Sequence, residues 1–363
     1  MRPLDLVIEP EPGNAYEIGG ILNPAAARGP DGHLYLFPRL VAKGNFSRIG
    51  IARVQFDARG EPTGIERLGI ALEPEMPYEL RPDGGGCEDP RVTFVEPLQR
   101  YVMTYTAFSP MGPRIALAIS EDLLTWDRLG LATFDPYEGI HFDGVDNKDA
   151  AMFPLAVPNM SAQPELAILH RPLFPGTLPE DTMLMEEDRD VDLHRESIWI
   201  SYSPAGTSDE PYQLRKFTYH HRLAAPVSDW ESLKIGSGAP PVMTKHGWLF
   251  IYHGVTDLAP ADSGTHQITY SAGVMVLSKD HPHELLYRST HPALSPQPSI
   301  GPRGTTSNVV FPTGTDRRDD IGQPDRIDVY YGINDFRIAV ARLDVPTTLP
   351  HPGVADPPQS RTR

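Results

Sequence analysis

Residues Leu249–Val255 read LFIYHGV, an apolar run that ends in polar residues, and this pattern recurs along the chain. The five copies are Leu34–Leu40 (LYLFPRL), Tyr101–Ala107 (YVMTYTA), Leu166–Pro172 (LAILHRP), Leu249–Val255 and Asp328–Ile333 (DVYYGI). A second β-rich run follows each copy, such as SAGVMVLS after the fourth and RIAVARL after the fifth. Short strands repeated in this way are typical of a β-propeller. The sequence therefore predicts an all-β chain folded as a five-bladed β-propeller.

A short polar segment precedes each copy. These segments are Asn23-Pro24, Glu88-Asp89-Pro90, Asn147-Lys148-Asp149, Ser237–Pro240 and Ser307-Asn308. In a propeller the innermost strand of each blade lies along the central channel, so equivalent positions far apart in sequence converge. Polar groups at the ends of apolar strands are what a central pocket needs. We therefore expect a central active site.

Composition limits the class of protein. Of 363 residues, 40% are hydrophobic, which is enough for a sizeable core and excludes a disordered chain. The 39 prolines and 31 glycines fit many turns between short strands. A net charge of −16 disfavours a nucleic-acid partner. No apolar run approaches a membrane span, and the first residues lack the apolar segment of a signal peptide, so we expect a cytoplasmic protein without a membrane partner.

The chain is predicted to form one domain over residues 1–346, followed by a proline-rich tail over residues 347–363. A single cysteine, Cys87, excludes an intramolecular disulfide. The histidines are scattered in the sequence without ligand spacing, so neither a metal nor a cofactor is expected. The sequence leaves the oligomeric state open, a homo-oligomer included.

Aligning the copies yields the candidate site residues. They are Asn23, Glu88, Asp89, Lys148 and Asp149 at the polar segments, Arg39, Tyr105, His170, Arg171, His253 and Tyr331 at the ends of the following strands, and Lys234 before the fourth polar segment. Simpler interpretations remain for each kind of residue. Asp89 before Pro90 is also typical of a turn, His253 of a buried histidine, and the tyrosines of ordinary strand positions.

This set of side chains favours carbohydrate chemistry, because carboxylates supply a general acid and aromatic rings pack on sugars. Hydrolysis of a glycosidic bond ordinarily needs two carboxylates. Asn23 occupies the position where a second acid is expected beside Asp89. The candidate cations hold an anion instead, and inorganic phosphate attacks an anomeric carbon without an enzymatic base. The pattern predicts phosphorolysis, with phosphate as co-substrate.

Seven motifs in order, covering about Gly20–Val345, resemble glycoside hydrolase family 130, whose founding members are mannoside phosphorylases. The motifs are NP, GCEDPRV, NKDAAMFP, LHRP, IWISYS, KIGSGAPP with GWLFIYHGV, and VYYGINDFRIAVA. The resemblance implies a five-bladed propeller and inverting attack of phosphate on a terminal β-mannosyl unit, which releases α-mannose 1-phosphate. The β-mannoside is then the small-molecule partner.

The resemblance also implies roles for single residues. Asp89 is the proton donor, acting through a hydroxyl of the mannosyl ring, and Asp335 binds the sugar. Arg171, Lys234 and His253 bind phosphate. Asn23, Arg39, Lys148 and Asp149 supply further contacts to sugar or phosphate. Acceptor specificity is expected in the segments Phe174–Arg195 and Thr256–His266.

Three alternatives stay open. Some family members are β-mannosidases in which glutamates replace the basic residues that bind phosphate, and the HRP and YHG motifs here carry none. A five-bladed furanosidase needs an acid on the first blade, where this chain has Asn23. A non-catalytic carbohydrate-binding propeller has no need of a basic cluster beside an acid.

Overall fold

The computed structural model describes residues 1–136, 139–174, 194–204, 211–259, 264–297 and 308–350. Within these ranges the secondary structure is β-strand together with short 3-10 helices. The helices are Glu96–Leu98, Pro211–Arg215, Asp229–Glu231 and Asp319–Ile321. The prediction of an all-β chain is confirmed for the described residues. None of their helices has the length and apolar character needed to cross a membrane.

The strands in the first part of the chain are β1 (Arg2–Ile8), β2 (Gly20–Arg28), β3 (Leu34–Ala42), β4 (Phe46–Phe56), β5 (Pro62–Leu72), β6 (Gly85–Val95), β7 (Arg100–Ser109), β8 (Gly112–Ser120), β9 (Asp127–Leu131), β10 (Thr133–Phe134) and β11 (Asp146–Met152). The strands that follow are β12 (Val157–Pro158), β13 (Pro164–Leu173), β14 (Ile198–Ser203), β15 (Lys216–Ala224), β16 (Lys234–Ser237), β17 (Val242–Thr244), β18 (Gly247–Asp257), β19 (Ile268–Leu277), β20 (Leu285–Arg288), β21 (Val310–Arg317), β22 (Arg326–Ile333) and β23 (Arg337–Asp344).

Antiparallel pairing joins twenty of these strands into five successive groups of four, and the short strands β10, β12 and β17 each pair with one strand of a group. Group one contains β2 to β5 and group two contains β6 to β9. Group three is β11, β13, β14 and β15, and group four is β16, β18, β19 and β20. Group five is β21, β22, β23 and β1, so strands from opposite ends of the described chain share one sheet. A parallel pairing of β4 with β6 merges groups one and two into one sheet.

The first strand of several groups carries the same irregularity. Asn23, Asp89 and Asp149 have φ values of 45°, 45° and 56°, and each lies at a register shift in its strand. Asparagine and aspartate tolerate this left-handed backbone better than most residues. A bulge re-aims a side chain and interrupts the ladder of hydrogen bonds. Three of the five polar segments are therefore bulges in the first strands of their groups.

Apolar side chains fill the spaces between neighbouring groups. Phe37 of group one packs in one cluster with Met103 of group two, and Leu117 of group two packs with Ile168 of group three. Further clusters join groups three and four, and groups four and five. The last cluster joins Tyr330 of group five to group one, which closes the series. Burial of these faces is the main stabilising contribution to the fold.

Other expectations fall partly outside the described ranges. Cys87 is a free, buried thiol. The predicted tail is described only over residues 347–350, and Ser307 lies outside the described residues. Both segments expected to set acceptor specificity also lie partly outside them, so that assignment stays a prediction.

Candidate active site

One cavity of about 390 Å³ lies where the first strands of the five groups come together. Each group contributes lining residues from or next to its first strand, as Asn23, Asp89, Lys148, Lys234 and Phe311 do. The structure brings eight of the predicted residues to this cavity. They are Asn23, Arg39, Glu88, Asp89, Lys148, Arg171, Lys234 and Asp335.

Asp89 is held by polar contacts with two other residues of the cavity, Asn23 and Arg39. Its Oδ1 accepts a hydrogen bond from Asn23 Nδ2 at 2.7 Å and lies 3.4 Å from an Arg39 guanidinium nitrogen. Burial alone raises the pKa of the Asp89 carboxyl, but the positive charges of Arg39 and Lys148 outweigh burial, so the pKa lies below its ordinary value. In the unliganded protein Asp89 is therefore a carboxylate at neutral pH.

Glu88 lies beside Asp89, but the pKa of its carboxyl is shifted in the opposite direction. Its Oε1 lies 2.8 Å from a second Arg39 guanidinium nitrogen. Burial raises the pKa of Glu88, and the charge of Arg39 offsets this only in part. Burial also lowers the pKa of the Arg39 guanidinium, but the surrounding carboxylates, Asp335 among them, reverse that shift. Arg39 thus pairs with both Glu88 and Asp89 at the wall of the cavity.

Three further cations, Lys148, Arg171 and Lys234, line the same cavity. Lys148 and Arg171 are paired across β11 and β13. Burial lowers the pKa of the Lys234 ammonium, and the charges of Arg171 and Lys148 lower it further, to about 8. Among the described residues Lys148 has no ion-pair partner, which leaves its charge available to a ligand.

Asp149 lies behind these cations and does not line the cavity. Its carboxylate is fully buried and accepts a hydrogen bond from Arg171 Nε at 2.7 Å. Arg91 approaches the same carboxylate at 3.6 Å and donates to the backbone oxygen of Asp89 at 2.7 Å. Burial raises the pKa of Asp149, but the neighbouring positive charges, that of Arg171 first, bring it far below its ordinary value. Asp149 therefore positions Arg171 rather than contacting a ligand.

His253 is also behind the cavity wall, with its ring fully buried and centred 4.4 Å from that of Phe311. Its Nε2 lies 3.6 Å from Asp149 Oδ2. Burial lowers the pKa of His253 to about 3, although Asp149 opposes the shift. A neutral, enclosed histidine does not fit the predicted role of a cationic phosphate ligand.

Three other predicted residues belong to the core. Tyr105 donates its hydroxyl to Glu79 at 2.5 Å. His170 is fully buried, lies within hydrogen-bond distance of Asn147 and Ser201, and stacks on Phe134. Tyr331 packs in the cluster between groups four and five.

For Tyr105 and Tyr331 the simpler interpretation, an ordinary strand position, fits the structure, and His170 likewise lies in the core. The alternation of side chains along a strand turns them away from the cavity. In β13, for example, Arg171 lines the cavity and its neighbour His170 does not.

Glu196 is the main residue of the cavity that the sequence did not indicate. It lies two residues before β14, which is the third strand of its group rather than the first. Its carboxylate contacts the guanidinium of Arg171 and lies 3.8 Å from Lys234 Nζ. Tyr270 and Phe311 also line the cavity. Phe311 follows the fifth polar segment by three residues, a signal that was available in the sequence.

Glu196 changes the charge of the site. The cavity lining carries the cations Arg39, Lys148, Arg171 and Lys234 and the carboxylates Glu88, Asp89, Glu196 and Asp335. The surplus of cations expected from the sequence is therefore wrong for the lining as a whole. The cations Lys148, Arg171 and Lys234 are nevertheless grouped, and Glu196 is the cavity-lining carboxylate that pairs with two of them, Arg171 and Lys234.

The described residues also hold one group with the composition of a metal site, away from the cavity. His281, His283 and Glu284 place their ligand atoms within 4.8 Å of one another in the turn between β19 and β20. The structure thus brings three possible metal ligands together at a place where the sequence had predicted no metal site. The active-site cavity has no such group among its described residues.

Comparison with known proteins shows the family to which the chain belongs. The family model for glycoside hydrolase family 130, described as beta-1,4-mannooligosaccharide phosphorylase, matches residues 17–349. A 1,2-beta-oligomannan phosphorylase of Thermoanaerobacter sp. is 28% identical over 93% of this chain and 95% of its own. A beta-1,4-mannooligosaccharide phosphorylase of Ruminococcus albus is 29% identical over 70% of this chain and 61% of its own.

Solved structures match the fold over nearly the whole chain. The beta-1,2-mannobiose phosphorylase of Listeria innocua, in complex with beta-1,2-mannobiose, has a TM-score of 0.69 at 21% identity, covering 95% of this chain and 96% of its own. A structure from work on glycoside hydrolases of the same family, which target beta-1,2 mannosidic linkages, has a TM-score of 0.66 at 20% identity over 99% of this chain and 98% of its own. The family model spans most of the chain, and the chain belongs to glycoside hydrolase family 130, the family of β-mannoside phosphorylases.

Proposed function

We propose that this protein catalyses inverting phosphorolysis of a terminal β-mannosidic linkage and releases α-mannose 1-phosphate. The observation that carries the proposal is that one cavity holds both an acid and a group of cations. Asp89, held by Asn23 and Arg39, lines the same cavity as Lys148, Arg171 and Lys234. A general acid and an anion site that open into one cavity are the two elements that phosphorolysis needs.

The proposed step exchanges one bond at the anomeric carbon for another. A phosphate oxygen forms a bond to the carbon from one face while the bond to the leaving glycosidic oxygen breaks on the opposite face. The leaving oxygen receives a proton that originates from Asp89. Arg171 and Lys234 bind and orient the phosphate, and charge-assisted hydrogen bonds of this kind are stronger than neutral ones.

Asp89 must carry a proton at that step, although its pKa is lowered in the unliganded protein. An arriving phosphate adds negative charge to the cavity and neutralises the cations that lower the pKa, Lys148 in particular. Both effects raise the pKa of Asp89. Binding of phosphate and sugar thus favours the protonated form of Asp89, which is the form that donates the proton.

We also propose that the five groups of strands are the blades of a five-bladed propeller. The support is the cyclic order of the apolar clusters, the pairing of β1 with β23, and the shared cavity at the first strands.

A sugar phosphate is retained inside a cell, which supports a cytoplasmic location as part of the proposal.

Hydrolysis is the second candidate, and Glu196 is the observation that favours it. A carboxylate in the cavity can act as the base that activates water, with Asp89 as the acid. The sequence did not indicate Glu196, whose carboxylate contacts the guanidinium of Arg171 and lies 3.8 Å from Lys234 Nζ. Hydrolysis predicts release of mannose that does not depend on phosphate.

The test incubates the purified protein with β-1,2-mannobiose, β-1,4-mannobiose or mannosyl-glucose, with and without phosphate. Mannose 1-phosphate that forms only with phosphate supports phosphorolysis, and release of free mannose without phosphate overturns it. Asp89→Asn is expected to lose at least about a hundredfold in turnover, the range for a general acid. Asp344→Asn, which changes an aspartate on the exposed Arg342 pair, is the matched control.

A further inference from the structure

Glu196 lies where a bound phosphate is expected. Its carboxylate contacts the Arg171 guanidinium and lies 3.8 Å from Lys234 Nζ, the two cations assigned to phosphate. Its side chain is 25% exposed and lines the cavity, so an anion that enters the cavity reaches the same two cations. Glu196 and phosphate therefore compete for one place.

A structural role for Glu196 is already filled by another residue. Asp149 is fully buried and holds Arg171 Nε at 2.7 Å from behind the cavity. The backbone of Glu196 is anchored separately, because its carbonyl oxygen accepts a hydrogen bond from Ile235 N at 3.1 Å. The Glu196 side chain can rotate away without releasing either the strand or Arg171.

The charges of the cluster agree with such an exchange. Lys148, Arg171 and Lys234 carry three positive charges, and the buried pair of Arg91 and Asp149 behind them adds no net charge, so the cluster is three positive once Glu196 has left. With Glu196 in place, the net charge is two positive. The cluster without Glu196 thus has enough positive charge for a phosphate dianion. A dianion therefore gains more from the cluster than the single carboxylate that it replaces.

We propose that Glu196 is an internal counter-anion that occupies the phosphate site of the unliganded protein and that phosphate must displace. This proposal rests on the proposed function, since it assigns the competitor for the same site. Glu196 sets the affinity for phosphate and keeps the three cations partly neutralised while the site is empty. It is a specificity-determining residue that selects a dianion over weaker anionic ligands.

The test measures phosphate binding directly, by titration calorimetry without sugar, so that the readout does not depend on turnover. Glu196→Gln keeps the shape of the side chain and removes its charge. We expect phosphate to bind on the order of tenfold more tightly to this variant, because one competing charge-assisted contact is gone. Glu196→Asp keeps the charge on a shorter side chain and is expected to fall between Glu196→Gln and the unchanged protein.

Glu121→Gln is the matched control, because Glu121 forms an exposed pair with Arg100 and is expected to leave phosphate affinity unchanged. Equal or weaker phosphate binding by Glu196→Gln, in a variant whose melting temperature is unchanged, overturns the counter-anion and leaves phosphorolysis standing. If no variant binds phosphate and mannose is released without it, the proposed function fails as well. If phosphate-independent release is abolished by Glu196→Gln, Glu196 is a base for water and the counter-anion is overturned.

Discussion

Asn23 donates a hydrogen bond from Nδ2 to Oδ1 of Asp89 over 2.7 Å, although 66 residues separate them in sequence. Both residues lie at bulges with left-handed backbone, in the first strands of adjacent groups. An amide at this place favours the ionised form of Asp89, whereas a carboxylate would oppose it. The identity of residue 23 therefore contributes to the protonation state of the acid, together with the larger effects of Arg39 and Lys148.

Asn23→Asp is expected to reduce turnover by about tenfold or more, because it replaces a charge-assisted hydrogen bond with a like-charged pair. The two carboxyls then share protons, and the alkaline limb of the pH profile of kcat, where Asp89 loses its proton, moves to higher pH. The measurement is kcat against pH for phosphorolysis of the preferred mannobiose. Asn23→Ala removes the hydrogen bond without adding charge, and its profile is expected to move less. An unchanged profile in Asn23→Asp contradicts the role assigned to this contact.

Phosphate affinity is expected to fall as the pH rises above about 8. Burial and the charges of Arg171 and Lys148 lower the pKa of Lys234 to about 8, while Asp149 opposes them. Below this pH Lys234 carries the positive charge that phosphate contacts, and above it the charge is lost. KM for phosphate should then rise by up to about tenfold per pH unit, the limit for one proton.

Steady-state kinetics from pH 6.5 to 9.5 check this dependence. Lys234→Met is expected to bind phosphate weakly at every pH and to lose the rise above pH 8. Lys245→Met, which changes a lysine in an exposed pair with Asp325, serves as the control. A KM for phosphate that stays constant through pH 9.5 in the unchanged protein speaks against Lys234 as a ligand.

Gly236→Ala is expected to weaken phosphate binding and to destabilise the protein. A Cβ atom at this position lies 2.4 Å from Asp149 Oδ2 and 2.5 Å from His253 Cε1, and both side chains are fully buried. Overpacking of this kind costs about 1–3 kcal/mol, and displacement of Asp149 releases Arg171. Thermal melting and phosphate titration together measure the two effects. At Gly64 a Cβ meets only the end of the Gln55 side chain, so Gly64→Ala should change neither quantity.

Asp328→Ala tests the closure of the fold rather than the site. Asp328 is fully buried and accepts hydrogen bonds from Arg318 at 2.7 Å and Arg326 at 2.8 Å, and Arg326 also contacts Glu61 of group one. Removal of one partner of a buried ion pair costs about 3–5 kcal/mol. Urea denaturation is expected to show a lower midpoint, and KM at low temperature should not change. Asp344→Ala, at an exposed position, is the control. If Asp328→Ala shifts the midpoint no more than this control does, the other carboxylate partners of Arg318 and Arg326 compensate for the loss of Asp328.

Much of the fold follows from short-range patterns in the sequence. Each apolar run became a strand, and each polar segment that the structure describes marks the first strand of a group. Asn23 and Asp89 are predicted because a short polar segment precedes each repeated apolar run, and both positions are bulges in the structure. Arg39 and Arg171 are predicted from equivalent strand ends of the repeats, and Lys234 from the KIG motif of the family resemblance.

The tertiary structure decided which of these side chains meet. Strand alternation turns neighbouring residues to opposite faces, so His170 lies in the core and Arg171 in the cavity, a difference of one residue that composition does not reveal. Burial made His253 neutral, and that property depends on its surroundings rather than on residue type. Glu196 reaches the cations from a third strand, across a distance in sequence that no local pattern encodes. The sequence by itself determined the strands and the acid, whereas three-dimensional packing determined the balance of charge around it.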